Sequence, residues 1–239
     1  MVRPKIILFG DSITEESFGD GGWGAALANL FSRKADVVLR GYSGYNTRWA
    51  LLAKETAFGT GGAEELAPVA VTVLLGANDA CLPDRSSAFH HVPPNEYKQN
   101  LHDIISFIKK RWPTTLVVLI TPPPIDEDGR LRHPYGDNLD GLPERTNEFA
   151  GSYAKACISV AGECGIPVVD LWSKMQQFPG WEKAFLSDGL HLTPSGNRIV
   201  FEEVVAALTK EGISVDTLPV DLPLFSQIDS SDPQKSFRV

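Results

Sequence analysis

The stretch Lys5-Ile6-Ile7-Leu8-Phe9-Gly10-Asp11-Ser12-Ile13-Thr14 decides the reading of this chain. Four consecutive apolar residues stop abruptly at Gly10, as a strand buried on both faces does when it reaches a turn. Ser12 then lies just beyond the strand's end, where a hydroxyl is accessible and can serve as a nucleophile. Similar short runs recur at 37–40, 69–75, 115–120 and 167–170, and each reads as a buried strand. Between them, segments 23–33, 47–54, 95–112, 143–164 and 194–210 carry helical spacing of apolar residues. The last of these has Thr193 as its N-cap and Pro194 in the first helical position.

Strict alternation of doubly apolar strands with helices predicts an α/β fold: a five-stranded parallel sheet with helices on both faces, joined by right-handed crossovers. In such sheets ligands bind outside the carboxyl ends of the strands. Ser12, Gly44 and Asn78 each follow one of the first three strands, so the pattern brings three distant segments to one rim. Two long proline-containing loops, 81–94 and 122–142, leave the same rim and are expected to wall a pocket. No internal repeat is present.

Near the end of the chain, Ser187-Asp188-Gly189-Leu190-His191-Leu192-Thr193-Pro194 places an acid and an imidazole three residues apart in front of the final helix. With Ser12 they complete the set that acyl transfer needs. Ser12 is read as nucleophile, His191 as general base and Asp188 as the group that orients the imidazole. For the oxyanion the candidates are the backbone N–H of Ser12, the backbone N–H of Gly44 and the side-chain amide of Asn78. Asp11 and Asp79 read as structural, because further charged carboxylates beside Asp188 would oppose release of the proton from the imidazolium.

Taken in order, these segments resemble the blocks of the SGNH hydrolases, the GDSL esterase/lipase superfamily. The first block is Gly10-Asp11-Ser12-Ile13-Thr14, the second centres on Gly44, the third is Gly76-Ala77-Asn78-Asp79 and the last is Asp188-Gly189-Leu190-His191. Ile13 stands where the name-giving motif has leucine, and it keeps an apolar packing residue there. The continuation through Glu15 and the later Trp23-Gly24 look most like the isoamyl acetate-hydrolysing esterase type. The resemblance spans roughly residues 5 to 210 and implies a flavodoxin-like three-layer α/β/α sandwich, no cofactor and hydrolysis of acyl esters.

Composition sets outer bounds. With 239 residues, 43% hydrophobic and 22% charged, the chain is globular and long enough for one sizeable core. A net charge of -8 and a pI near 5.1 discourage nucleic-acid or anionic-membrane binding and favour a neutral or apolar small substrate, in line with the small ester that the resemblance implies as partner. No window approaches the ~18 uninterrupted apolar residues of a membrane span, and residues 1–9 are too short for a secretory signal. Cys81, Cys157 and Cys164 form no C-x-x-C pair and no zinc pattern. A reduced, cytoplasmic setting without metal is therefore expected.

Other motifs are discounted. Residues 19–24 fit G-x-G-x-x-G but lie about ten residues past the first strand, and the second strand is not followed by an acidic residue. There is no G-x-S-x-G elbow and no phosphate-binding G-x-x-x-x-G-K-[ST] loop. His90, His91 and His102 read as surface residues. Trp23, Trp49, Leu82, Phe89, Pro123, Ile125 and Phe178 read as packing, with a few of them lining a pocket. The pattern dissolves after residue 212. The expectation is a domain over 1–212 and a loosely packed extension over 213–239, in which Leu222, Leu224 and Phe225 are apolar residues suited to covering an edge or a neighbouring subunit of a homo-oligomer.

The expected reaction is hydrolysis of small, short-chain esters through an acyl-serine intermediate. The rivals within hydrolases are a carbohydrate O-deacetylase, a lysophospholipase and a thioesterase. A ligand- or protein-binding module that has lost activity is the rival from another class.

Overall fold

The computed structural model describes residues 2–59, 66–139 and 141–237. Five strands, β1 (Lys5–Gly10), β2 (Asp36–Gly41), β3 (Ala70–Leu74), β4 (Leu116–Ile120) and β5 (Val168–Val169), form one sheet in the order β2-β1-β3-β4-β5. Every neighbouring pair is parallel. β3 is buried along its whole length, whereas β2 is at an edge and is only half covered. This is the sheet that the doubly apolar runs predict.

Nine α-helices follow the chain: α1 (Ser12–Glu15), α2 (Trp23–Leu30), α3 (Thr47–Phe58), α4 (Pro94–Arg111), α5 (Glu127–Arg132), α6 (Asn147–Cys164), α7 (Leu171–Met175), α8 (Trp181–Ala184) and α9 (Pro194–Lys210), counted among the described residues. α2 packs with α9, and α3 and α6 flank α4, so helices cover both sides of the sheet. The helix starts obey local chemistry. Asn46 accepts from the N–H of Trp49 at 3.0 Å, Thr146 from that of Phe149 at 3.2 Å and Thr193 from that of Gly196 at 3.1 Å. α6 therefore begins after its cap at Thr146 and not at 143. Its end is marked by Gly165 in the left-handed region.

Register fixes the rim. Gly10 pairs with Gly41 on one side and with Leu74 on the other, so three neighbouring strands end on one row. The crowding there dictates glycine. A Cβ on Gly41 would overlap the backbone nitrogen of Glu15, and one on Gly10 would overlap the carbonyl of Leu74 and the hydroxyl of Thr14.

The expected looseness after residue 212 does not extend over its first part. Ile213, Val215 and Leu218 pack against the core, Lys34 donates to the carbonyl of Leu218 at 2.8 Å, and Asp221 accepts from the Nε of Arg3 at 3.2 Å and of Arg33 at 3.3 Å. Arg33 also donates to the carbonyl of Leu222 at 2.6 Å. Partly buried apolar residues and paired charges hold this stretch, while Phe225 beyond it is exposed. Among the described residues no helix is long and apolar enough to cross a membrane.

Candidate active site

Ser12 stands at the first position of α1, and the carboxylate of Asp11 caps that helix by accepting from the N–H of Ile13 at 3.0 Å. Ile13 is buried in the core, and its carbonyl accepts from the indole of Trp23 at 3.1 Å. The four-residue helix is thus held at its N-cap and through its second residue, which fixes the serine hydroxyl relative to the sheet.

That hydroxyl meets the other end of the chain. Ser12 Oγ lies 2.9 Å from His191 Nε2, and His191 Nδ1 lies 2.8 Å from Asp188 Oδ2. The other carboxylate oxygen of Asp188 accepts from the backbone N–H groups of Leu190 and His191, at 2.9 and 2.7 Å. Burial pushes the Asp188 carboxyl up, but its hydrogen bonds and the facing imidazole outweigh this and hold it far below the usual carboxylate range. For His191, burial works against the charged ring, yet the hydrogen bond and charge of Asp188 prevail and raise it above 6.5.

Gly44 sits in the left-handed region, at φ +77°, in the loop after β2. That loop is tied to α1 by the Glu15 carboxylate, which accepts from the N–H of Ser43 at 2.7 Å. Asn78 donates from its side-chain amide to the carbonyl of Tyr45 at 3.0 Å, which joins the second and third loops. Asp79 accepts from the backbone N–H of Thr47 at 3.0 Å and from its hydroxyl, so it braces the start of α3. Burial raises both Asp11 and Asp79 to about 7. Their partners are backbone and hydroxyl groups of the scaffold, in keeping with the structural reading.

A buried ionic chain that the sequence gives no warning of links the acid to the amide. Arg130, on α5 within the 122–142 loop, donates to Asp188 Oδ2 at 2.9 Å and to the Asp188 carbonyl at 3.1 Å. Its Nε donates to Glu144 at 2.8 Å, and the same carboxylate oxygen accepts from Arg145 at 2.8 Å. Arg145 continues to the carbonyl of Ala77 at 2.8 Å and to Asn78 Oδ1 at 3.0 Å. The guanidinium can donate only to oxygen, which assigns the orientation of the Asn78 amide. Arg130, Glu144 and Arg145 are all at most 4% exposed. Glycine lets α5 approach. Gly189 has φ +92°, and a Cβ on it would press on the carbonyl of Asp126 at 2.5 Å and the nitrogen of Arg130 at 2.6 Å. No local pattern could have flagged these partners, since Arg130 and Asp188 are 58 residues apart.

The histidine readings are corrected in one case. His90 is buried, its ring packed at a tilt against Phe89 and Trp49 and edge-on to Tyr135, with centroids 3.9, 5.4 and 5.8 Å away. His91 is partly buried and pairs through Nδ1 with the carbonyl of Cys81 at 2.7 Å. His102 meets Glu163 at 2.8 Å near the surface. Among the described residues no three His, Cys, Asp or Glu side chains gather as a metal site. Trp23 is fully buried core, Trp49 stacks on Phe89, and Phe178 meets Phe185 edge-on.

Comparison with known proteins gives one consistent answer. The model of the GDSL-like lipase/acylhydrolase family matches residues 6–204. A GDSL esterase/lipase of Arabidopsis thaliana is 65% identical over 240 residues, covering 99% of each chain. The isoamyl acetate-hydrolyzing esterase 1 homolog of Homo sapiens is 41% identical over 238 residues, covering 99% of this chain and 92% of the relative. Among solved structures, a lipase/acylhydrolase from Enterococcus faecalis superposes with a TM-score of 0.67 at 24% identity, covering 92% of this chain and 100% of the other. That likeness shows the same fold.

Proposed function

Because this chain belongs to the GDSL-like lipase/acylhydrolase family and is a carboxylic ester hydrolase of that type, we propose that Ser12, His191 and Asp188 are its catalytic triad and that its substrates are small esters with short acyl chains. The observation that carries the reading is the unbroken chain from Ser12 Oγ to His191 Nε2 at 2.9 Å and from His191 Nδ1 to Asp188 Oδ2 at 2.8 Å. In this reading His191 Nε2 takes the proton as Ser12 Oγ attacks the ester carbonyl carbon, and Asp188 stabilises the imidazolium. The tetrahedral intermediate collapses, the C–O bond to the alcohol breaks, and the leaving alkoxide receives the proton from Nε2. Water then attacks the acyl-serine with His191 again as base, and the acid leaves as Ser12 is restored.

The negative charge on the former carbonyl oxygen falls to three donors: the N–H of Ser12, the N–H of Gly44 and the amide of Asn78. Asn78 is suited to this. Its Oδ1 is held by Arg145, one amide hydrogen goes to Tyr45, and the second remains for the oxyanion. As the first residue of α1, Ser12 has an N–H without an intrahelical acceptor.

The test is a Ser12→Ala variant assayed with p-nitrophenyl esters of increasing acyl length, alongside fluorophosphonate labelling of the parent. Turnover of the parent highest on the shortest esters, its loss in the variant and labelling at Ser12 alone are expected. Activity retained by Ser12→Ala removes that residue from the mechanism, and a preference for long chains removes the short-acyl assignment.

A further inference from the structure

His90 is a buried polar side chain whose partners inside the protein do not account for it. Only 4% of the residue is exposed, and its Nδ1 is buried with no hydrogen-bond partner. Its backbone is well placed, since the N–H donates to Ser87 at 3.0 Å and the carbonyl accepts from the Asn46 amide at 2.9 Å. The ring is therefore held from its own main chain and by the flanking Phe89, Trp49 and Tyr135. Held in this way, the ring turns its other nitrogen toward Gly44. Nε2 lies 3.6 Å from where a Cβ on that glycine would be. Tyr45, next to Gly44 in the chain, and Trp49, whose ring centroid is 5.4 Å from that of His90, line an open cavity of about 360 Å³ with Leu52 and Ala53.

Burial and the charge of Arg145 disfavour the imidazolium, so the ring is neutral and carries one N–H. An N–H at Nδ1 would be a buried donor with no acceptor. An unpaired lone pair there costs less than an unpaired N–H, so the proton belongs on Nε2, the nitrogen that faces Gly44.

We propose that His90 is a specificity-determining residue that donates a hydrogen bond from Nε2 to an oxygen of the substrate other than the ester's own, while the aromatic ledge beside it takes the apolar part. The substrate class is then an ester bearing an ether or hydroxyl oxygen a few bonds from the scissile group. This rests on the placing of the acyl carbonyl beside Gly44 in the reading above.

Matched ester pairs test it. On the acyl side, p-nitrophenyl methoxyacetate is compared with p-nitrophenyl butyrate; on the alcohol side, 2-methoxyethyl acetate is compared with butyl acetate. Each pair exchanges one oxygen for a methylene at nearly constant shape. The readout is the ratio of kcat/KM, ether over alkyl, in the parent, His90→Phe and His90→Gln. Loss of one neutral hydrogen bond lowers the ratio roughly three- to tenfold in His90→Phe for one of the two pairs, and His90→Gln, which keeps a donor, restores most of it. The pair that responds tells which side of the ester carries the oxygen. Ratios unchanged in both pairs overturn the proposal while leaving the triad standing, whereas a Ser12→Ala variant that still turns over these esters fails the triad itself. Independently of any variant, imidazole nitrogen NMR of the parent should find His90 neutral with its proton on Nε2 at pH 7, and a proton on Nδ1 would overturn the assignment.

Discussion

Glu144 offers the sharpest test of how this site is held together. One of its carboxylate oxygens accepts from Arg130 and from Arg145, both at 2.8 Å, and all three side chains are removed from water. Replacing Glu144 with Ala leaves two guanidinium groups facing each other without their shared anion, a loss of about 3–5 kcal/mol by the usual cost of breaking a buried pair. The isosteric Glu144→Gln keeps an acceptor oxygen in place and removes only the charge. Both guanidinium groups still donate to a neutral oxygen, but they lose the buried anion between them, so the cost is smaller than that of Glu144→Ala, about 1–3 kcal/mol. Against a total stability of ~5–15 kcal/mol, both variants remain folded at low temperature. Urea unfolding followed by tryptophan fluorescence, with matched m-values, measures the differences directly. Activity should fall as well in the folded fraction, because Arg145 no longer fixes the Asn78 amide. If Glu144→Gln unfolds within ~0.5 kcal/mol of the parent, the range of an ordinary surface change, the argument for the ionic chain fails.

Further outcomes follow from the same geometry. His191 is raised above 6.5, so the neutral base is depleted as pH falls, and the acid limb of kcat/KM should have its midpoint above that value. Asp188→Asn should move the limb lower and cut turnover by a factor on the order of 10⁴; a limb that stays put in a pH-rate profile contradicts the pairing. The stability linked to His191 is present below 6.5 and lost as pH rises through the raised folded value, while that of Asp188 is present above 3.8 and lost as pH falls toward its depressed value. Gly189→Ala, at φ +92°, should destabilise by roughly 1–3 kcal/mol and lower turnover by displacing α5 from the Asp188 turn; unchanged thermal unfolding and kinetics would refute that contact. Asp221→Ala should quicken limited proteolysis between residues 218 and 227, and an unaltered digestion pattern would show that the Arg3 and Arg33 pairs do not hold this segment.

The sheet was legible because its strands are apolar on both faces, a pattern that depends on nothing beyond neighbouring residues. Ser12, Gly44 and Asn78 were legible for a related reason: each follows its strand by only a few positions, so topology alone carries them to one rim. What escaped was set by long-range contact. Arg130 lies in a segment that reads as loop, and its burial arises from α5 settling on Gly189 at the far end of the sequence. Glu144 and Arg145 sit in a stretch whose spacing resembles the helix that follows, and only the cap at Thr146 separates them from it. His90 reads as a surface residue because it stands in a segment that reads as loop, whereas the rings that cover it include Trp49 and Tyr135, each more than forty positions away.

The hydroxyl at Ser12 and the imidazole at His191 are bonded across 179 positions of the chain. On the triad reading, the reactive oxygen and its base therefore come from two segments that only the finished fold brings together. Neither segment is competent alone on that reading, since a serine without its imidazole is merely an alcohol. Turnover would accordingly report that the segments around Ser12 and His191 have met, and so serve as a readout of folding across the whole sheet.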